Sequence, residues 1–298
     1  MPPEAVLSFS IVLALACAAA RQESAPGSRP ASAPALRATG DPKAVAFLAD
    51  AAARRAPAGE PEIADISLDF EAVTNVEQHN EFKAEHRYLR PKRVRTHLHT
   101  STSDVERGFD GSAFWLKKGD RVETLEGREY EKDRKEIEAS IRFTENVLRL
   151  VSLRSLAEQL SDIGWIEPTA EDPRPGVRGN LASFVSIGAG EPAPAHVQLR
   201  FDPTTFDLVE VRATPFQARP SAAEEPPPPG DTFLLSDYEV VRGARFPRHI
   251  VAFTRSERRP EYEIAVTRVS WNDGLAPTSF SPASSGKPAN EKKPSEKR

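Results

Sequence analysis

Six histidines, one cysteine and many carboxylates are the residues of this chain with chemistry to offer. His97 and His99 stand two apart in the alternating run Val94-Arg95-Thr96-His97-Leu98-His99-Thr100, so on a strand both project from one face. That spacing can hold a metal ion. No HxxxH helix and no neighbouring carboxylate cluster accompanies the pair in the sequence, so a wet strand face is the expectation and no metal is assigned. Carboxylates such as Glu136 and Glu138, or Glu224 and Glu225, lie among basic residues on segments that read as solvated helix faces or loops. That setting argues against general acid–base work. Neither a GxSxG elbow nor a glycine-rich phosphate loop occurs. Cys17 is the only cysteine, which excludes an internal disulfide and a thiolate metal site. The expectation is a protein with no catalytic residues and no cofactor.

Cys17 lies in an uncharged stretch, Ala5 to Ala20, dominated by Ala, Leu, Val and Ile. A bilayer-spanning helix needs about 20 apolar residues, so this stretch reads as the core of a signal peptide over residues 1–20. Its flank departs from the usual pattern, carrying Glu4 and no Lys or Arg. Two processing routes are open. Ala18-Ala19-Ala20 suits an ordinary signal peptidase, whereas Ala14-Leu15-Ala16-Cys17 resembles a bacterial lipobox that would make Cys17 the lipidated first residue. Either route places the protein in the periplasm or cell envelope, with membrane contact only through an N-terminal lipid anchor. The chain carries 40 Lys+Arg against 44 Asp+Glu, or 43 once Glu4 is removed. A balance so close to neutral offers no field to draw nucleic acid.

Residues 21–40 are rich in Ala, Pro, Ser and Gly without periodicity and read as a flexible linker. Residues 283–298 read as a disordered charged tail. Between them, 41–282 is expected to fold. Asp41 and Pro42 have the character of a helix N-cap and first residue, followed by an apolar stripe of Val45, Phe47, Leu48, Ala51 and Ala52. Strand-like alternation then marks Ile66–Phe70, Val94–Thr100, Val197–Phe201, Leu208–Val211, Tyr238–Val241, Phe246–Phe253 and Tyr262–Trp271. From Tyr130 to Leu160, apolar residues including Ile137 and Ile141 recur at helical spacing, with a break expected at Ser152 to Ser155. Pro226 to Pro229 mark an exposed loop. Period-two strands with one buried face favour antiparallel pairing, so the fold class is α+β, mainly antiparallel β.

One short region carries a resemblance. Tyr88-Leu89-Arg90-Pro91-Lys92-Arg93-Val94-Arg95 precedes Phe109-Asp110-Gly111-Ser112-Ala113-Phe114-Trp115, where Asp-Gly signals a tight turn and Trp115 a large apolar anchor. An Arg-Pro strand end followed by an Asp-Gly-x-x-x-Trp strand resembles the periplasmic lipoprotein carriers of the LolA type and their superfamily. Asp202 to Leu208, Gly243 to Ile250, and Asn272 with Phe280-Ser281-Pro282 are similar, in order, to later elements of those carriers. The resemblance spans about Asp41 to Pro282. It implies an open, curved half-barrel with helices packed on its concave side, and a groove that takes the acyl chains of a lipid or lipoprotein.

By that resemblance the groove is lined by Leu68, Phe70, Leu98, Phe114, Trp115, Ile137 and Ile141. Arg90 matches the strand-end arginine that holds a lid closed. The linker, the tail and a lipidated Cys17 depart from a shuttling carrier. A second function class therefore stands beside the first: an envelope protein-interaction or sensor module on the same scaffold that binds no lipid.

Overall fold

The computed structural model describes residues 38–74, 80–184, 193–216, 231–253 and 260–282. Cys17 with its apolar stretch, most of the 21–40 linker, the poly-proline loop and the 283–298 tail lie outside the described residues.

Local chemistry sets the helices. Asp41 accepts a hydrogen bond from the Lys43 backbone N–H at 2.8 Å, and Pro42 opens α1 (Pro42–Arg55) where its missing N–H is no loss. Ala44, Leu48, Ala51 and Ala52 form its buried stripe. The long charged segment forms α2 (Glu131–Val151) and α3 (Leu153–Gln159). Ser152 divides them as expected: its backbone N–H still bonds back to Leu148, while its hydroxyl accepts the N–H of Ser155 and starts the next helix.

The described residues hold thirteen strands: β1 (Asp65–Thr74), β2 (Asn80–Leu89), β3 (Arg93–Thr100), β4 (Asp104–Phe109), β5 (Phe114–Lys118), β6 (Arg121–Thr124), β7 (Leu160–Ile166), β8 (Gly176–Phe184), β9 (Ala193–Phe201), β10 (Leu208–Pro215), β11 (Asp231–Val241), β12 (Ala244–Phe253) and β13 (Tyr262–Trp271). The Asp-Gly turn joins β4 to β5. The Asp110 carboxylate accepts the N–H groups of Ser112 and Ala113, and Gly111 takes the positive φ, +103°, that the turn requires.

All thirteen strands make one antiparallel sheet in the order β6-β5-β4-β3-β2-β1-β13-β12-β11-β10-β9-β8-β7. Two meanders, β1 to β6 and β7 to β13, run outward and inward, and they join where β1 pairs with β13. The edges β6 and β7 do not pair, so the sheet is open. The chain passes from one edge to the other through α2 and α3. Thirteen flat strands would span about 58 Å at about 4.8 Å per step. Helices of 21 and 7 residues supply about 42 Å. The sheet therefore curls around the helices. α2 accordingly packs on β3 and β4 in one wing and on β12 in the other, while α1 lies on β7 and β8. The result is a curved antiparallel half-barrel with helices on its inner face, as the resemblance implied.

The register fixes what faces inward. Ile66, Leu68, Phe70 and Ala72 of β1 share a face with Tyr88, His86, Ala84 and Phe82, their partners in β2. The face continues through Ile264 and Ile250 to Phe233, Val211, Leu199 and Val177. All of these are buried, so the hydrophobic core is the concave side of the sheet. At the β7 end, Phe47 of α1 meets Trp165 and Phe201 edge-on, with ring centres 5.2 and 5.1 Å apart.

Candidate functional site

The inner face beneath α2 differs from the rest of the core because apolar packing is interrupted by paired polar groups. Arg107 is flanked on the inward side of β4 by Val105 and Phe109, and its guanidinium binds the carboxylate of Glu136 on α2. Both residues are more than 90% buried. Burial raises the Glu136 carboxyl above its ordinary range, and the Arg107 charge and hydrogen bond pull it partly back.

Two strands over in the same cross-strand row, across Thr96, His86 stands among Phe82, Ala84 and Tyr88 on the inward side of β2. Its Nδ1 lies 2.9 Å from the Thr96 hydroxyl of β3, and its Nε2 lies 2.5 Å from the Thr144 hydroxyl of α2. Thr144 donates its own proton to the Ser140 carbonyl. It therefore accepts from His86 Nε2–H, which makes Nδ1 the acceptor for Thr96. That arrangement suits a neutral ring. Burial first, then the charges of Arg87 and Arg107, push its pKa down to about 3. A third contact links Tyr88, whose hydroxyl donates to the Pro91 carbonyl at 2.9 Å and lies 3.5 Å from the Glu145 carboxylate of α2. Arg107, His86 and Tyr88 thus tie one side of α2 to the sheet, at residues 136, 144 and 145.

The apolar partners sit between these ties. Ile137 and Ile141 of α2 are buried, as are Leu68 and Phe70 on β1. Leu98 and Phe114 are only half-buried, together with their cross-strand partners Val105 and Phe109. The Phe109 and Phe114 rings lie 4.6 Å apart. These four form two half-buried apolar pairs, Leu98–Val105 and Phe109–Phe114, on either side of Arg107. Among the buried donors of inner-face residues, Arg107 Nε, Tyr262 Oη and Trp271 Nε1 have no hydrogen-bond partner among the described residues.

Six of the seven groove candidates fall on this inner side: Leu68, Phe70, Leu98, Phe114, Ile137 and Ile141. Trp115 is the exception. Phe114 pairs with Phe109 on the inner face, so Trp115, one residue on and opposite Gly108, faces outward. It is buried there by the C-terminal chain: its indole N–H donates to the Phe280 carbonyl at 2.9 Å, and Arg95 donates to the Ser279 carbonyl at 3.1 Å. In the sequence, Phe114-Trp115-Leu116 is an unbroken apolar run, so parity cannot be read from it. The resemblance gives Arg90 the lid-closing role. It is exposed at the β2–β3 turn and makes no side-chain hydrogen bond or ion pair among the described residues. The arginine that reaches the helix is Arg107. Its signal, like that of His86, is a polar residue on the apolar parity of a strand.

No family model matches the chain, and no curated protein matches it. Among solved structures, a domain from Vibrio parahaemolyticus named for outer-membrane lipoprotein sorting overlays at a TM-score of 0.42 with 8% identity, covering 80% of this chain and 96% of that one. A protein of the DUF1329 family from Desulfovibrio piger overlays at 0.44 with 10% identity, covering 80% and 97%. A LolA superfamily protein from Nitrosomonas europaea overlays at 0.44 with 11% identity, with the same coverage. The chain is similar, at this distance, to lipoprotein-sorting domains and proteins of the LolA superfamily.

Proposed function

We propose that this protein holds an acyl-bearing ligand, a lipid or the lipid moiety of a lipoprotein, between α2 and the inner face of the sheet, in the envelope of a bacterial cell. The observation that carries the reading is the way α2 is held: apolar contacts with polar ties on one side, beside the half-buried pairs Leu98–Val105 and Phe109–Phe114. A helix fixed in this way can lift from an apolar face, because each polar tie can be exchanged for water. An acyl chain then takes the helix's place. Each buried methylene contributes about 0.8 kcal/mol, so a chain of roughly 15 carbons supplies about 10 kcal/mol before ordering costs. No catalytic group is required. The orphaned Arg107 Nε supplies a donor for an ester or headgroup oxygen.

The Ala5–Ala20 stretch supports export, and Cys17 supports an anchored form. Among the described residues no helix is long and apolar enough to cross a membrane.

The test is mass-spectrometric lipid analysis of the protein purified gently from bacterial cells. Stoichiometric acyl lipid, lost in Ile141→Asp and Phe114→Asp, is the expected result. A lipid-free protein that also ignores a fluorescent fatty acid sinks the reading. One observation favours the alternative of a protein-interaction module: Leu68, Phe70 and Ile137 are 5% exposed or less, so the centre of the face is packed as it stands.

A further inference from the structure

The outer face of the sheet carries a second cluster, unrelated to the groove. His97 and His99 project outward from β3, opposite in parity to Thr96 and Leu98. In the register, Glu85 of β2 stands directly across from His97, and Asp104 of β4 directly across from His99. The carboxylates missing from the local sequence therefore arrive from the two neighbouring strands. One ligand atom from each of Glu85, His97 and His99 lies within 4.8 Å of the others. A single Asp104 oxygen contacts His97 Nε2 and lies 3.3 Å from His99 Nδ1.

The surrounding charges single out these two carboxylates. Asp69 is bound by Arg87 at 2.6 Å, Glu71 by Lys83 at 2.6 Å, and Glu106 by Arg95. Glu85 has only a long contact, 3.6 Å, to Arg87, and Asp104 is engaged by the two imidazoles. Arg87, Lys83 and Arg95 are thus each bound to another acid, and the histidine pair keeps Glu85 and Asp104.

We infer that Glu85, His97, His99 and Asp104 form a four-donor site for a divalent transition ion, with Zn²⁺ as its occupant. Two imidazole nitrogens and two carboxylate oxygens suit Zn²⁺, whereas Ca²⁺ and Mg²⁺ take oxygen ligands. Donors at about 2.0–2.2 Å from one ion stand about 3.3–3.6 Å apart in a tetrahedron. The 3.3 Å between Asp104 and His99 already matches that value, and Glu85 lies within 4.8 Å of both imidazoles. The ion would bridge β2, β3 and β4 on the side of the sheet away from α2.

The test titrates the untagged full chain with Zn²⁺ against a chromophoric chelator, and with Co²⁺ followed by visible absorption. One equivalent of Zn²⁺ and an intense tetrahedral Co²⁺ spectrum are expected. The double variant His97→Ala/His99→Ala should weaken binding by about 100-fold or more, and Glu85→Gln by about 10-fold. All four side chains are at least partly exposed, so the variants should keep the metal-free melting temperature, which separates lost ligation from lost fold. Absence of saturable binding overturns the proposal. So does binding that survives in the double variant with its affinity intact.

Discussion

His86 is held neutral by the same packing that seals α2 to the sheet, and this has a pH consequence. Its folded pKa of about 3 lies below the ordinary 6.5. Above 6.5 neither folded nor unfolded chain is protonated there, so stability is unaffected. As pH falls from 6.5 toward 3 the unfolded chain takes up the proton first and stability drops, by up to a few kcal/mol. Glu136 acts with the opposite sign: its raised carboxyl lets the folded state accept a proton first, which offsets part of the loss at the acid end. Urea unfolding of the wild type and His86→Gln at pH 7 and pH 4.5 isolates the histidine. The variant should show the shallower dependence on acid. The Arg107–Glu136 pair makes a different forecast. Removing one partner strands a buried charge at a cost of about 3–5 kcal/mol, whereas Arg107→Leu with Glu136→Leu removes both charges together. The double variant should therefore be more stable than either single one. A double-variant loss equal to the sum of the two singles would show that the pair is uncoupled.

At the scale of the element, the strap over the outer face depends on one small residue. A Cβ on Gly108 would lie 2.4 Å from the Val94 carbonyl oxygen and 2.8 Å from the Trp115 ring. Gly108→Ala is thus expected to cost about 2 kcal/mol in urea unfolding. Ending the chain at Gly274 should strip the cover from Trp115 and shift its fluorescence to the red, a shift absent when Trp115→Phe is added. Much at this scale was legible in advance. The α1 cap, the break at Ser152, and β3, β9, β12 and β13 each carry a local signal. β7 and β8 carried little, because Gly164, Gly176 and Gly179 interrupt their alternation. The site was half legible. Its apolar members follow strand parity, but Glu85 beside His97, Asp104 beside His99 and Arg107 under Glu136 depend on cross-strand register or on helix placement. Neither is a property of the local sequence, and for the same reason Trp115 could not be assigned a face.

At the scale of the molecule, the sheet and the helices that bridge it differ in how they are held. β1 and β13 are paired on both sides, whereas α2 rests on polar ties and partial apolar cover. Hydrogen exchange should therefore be faster along α2 than along β1 and β13. Slow exchange through α2 matching the central strands would mean that the helix does not lift. The β1–β13 seam has a consequence of its own. It joins residues 65–74 to residues 262–271, almost the whole folded length apart, while nearly every other pairing is a local hairpin. A chain that emerges N-terminus first can assemble each meander as it appears, but it cannot close the seam until the last strand arrives. Until then β1 is an exposed sheet edge, and its apolar face is open to whatever chaperone or neighbouring chain reaches it first.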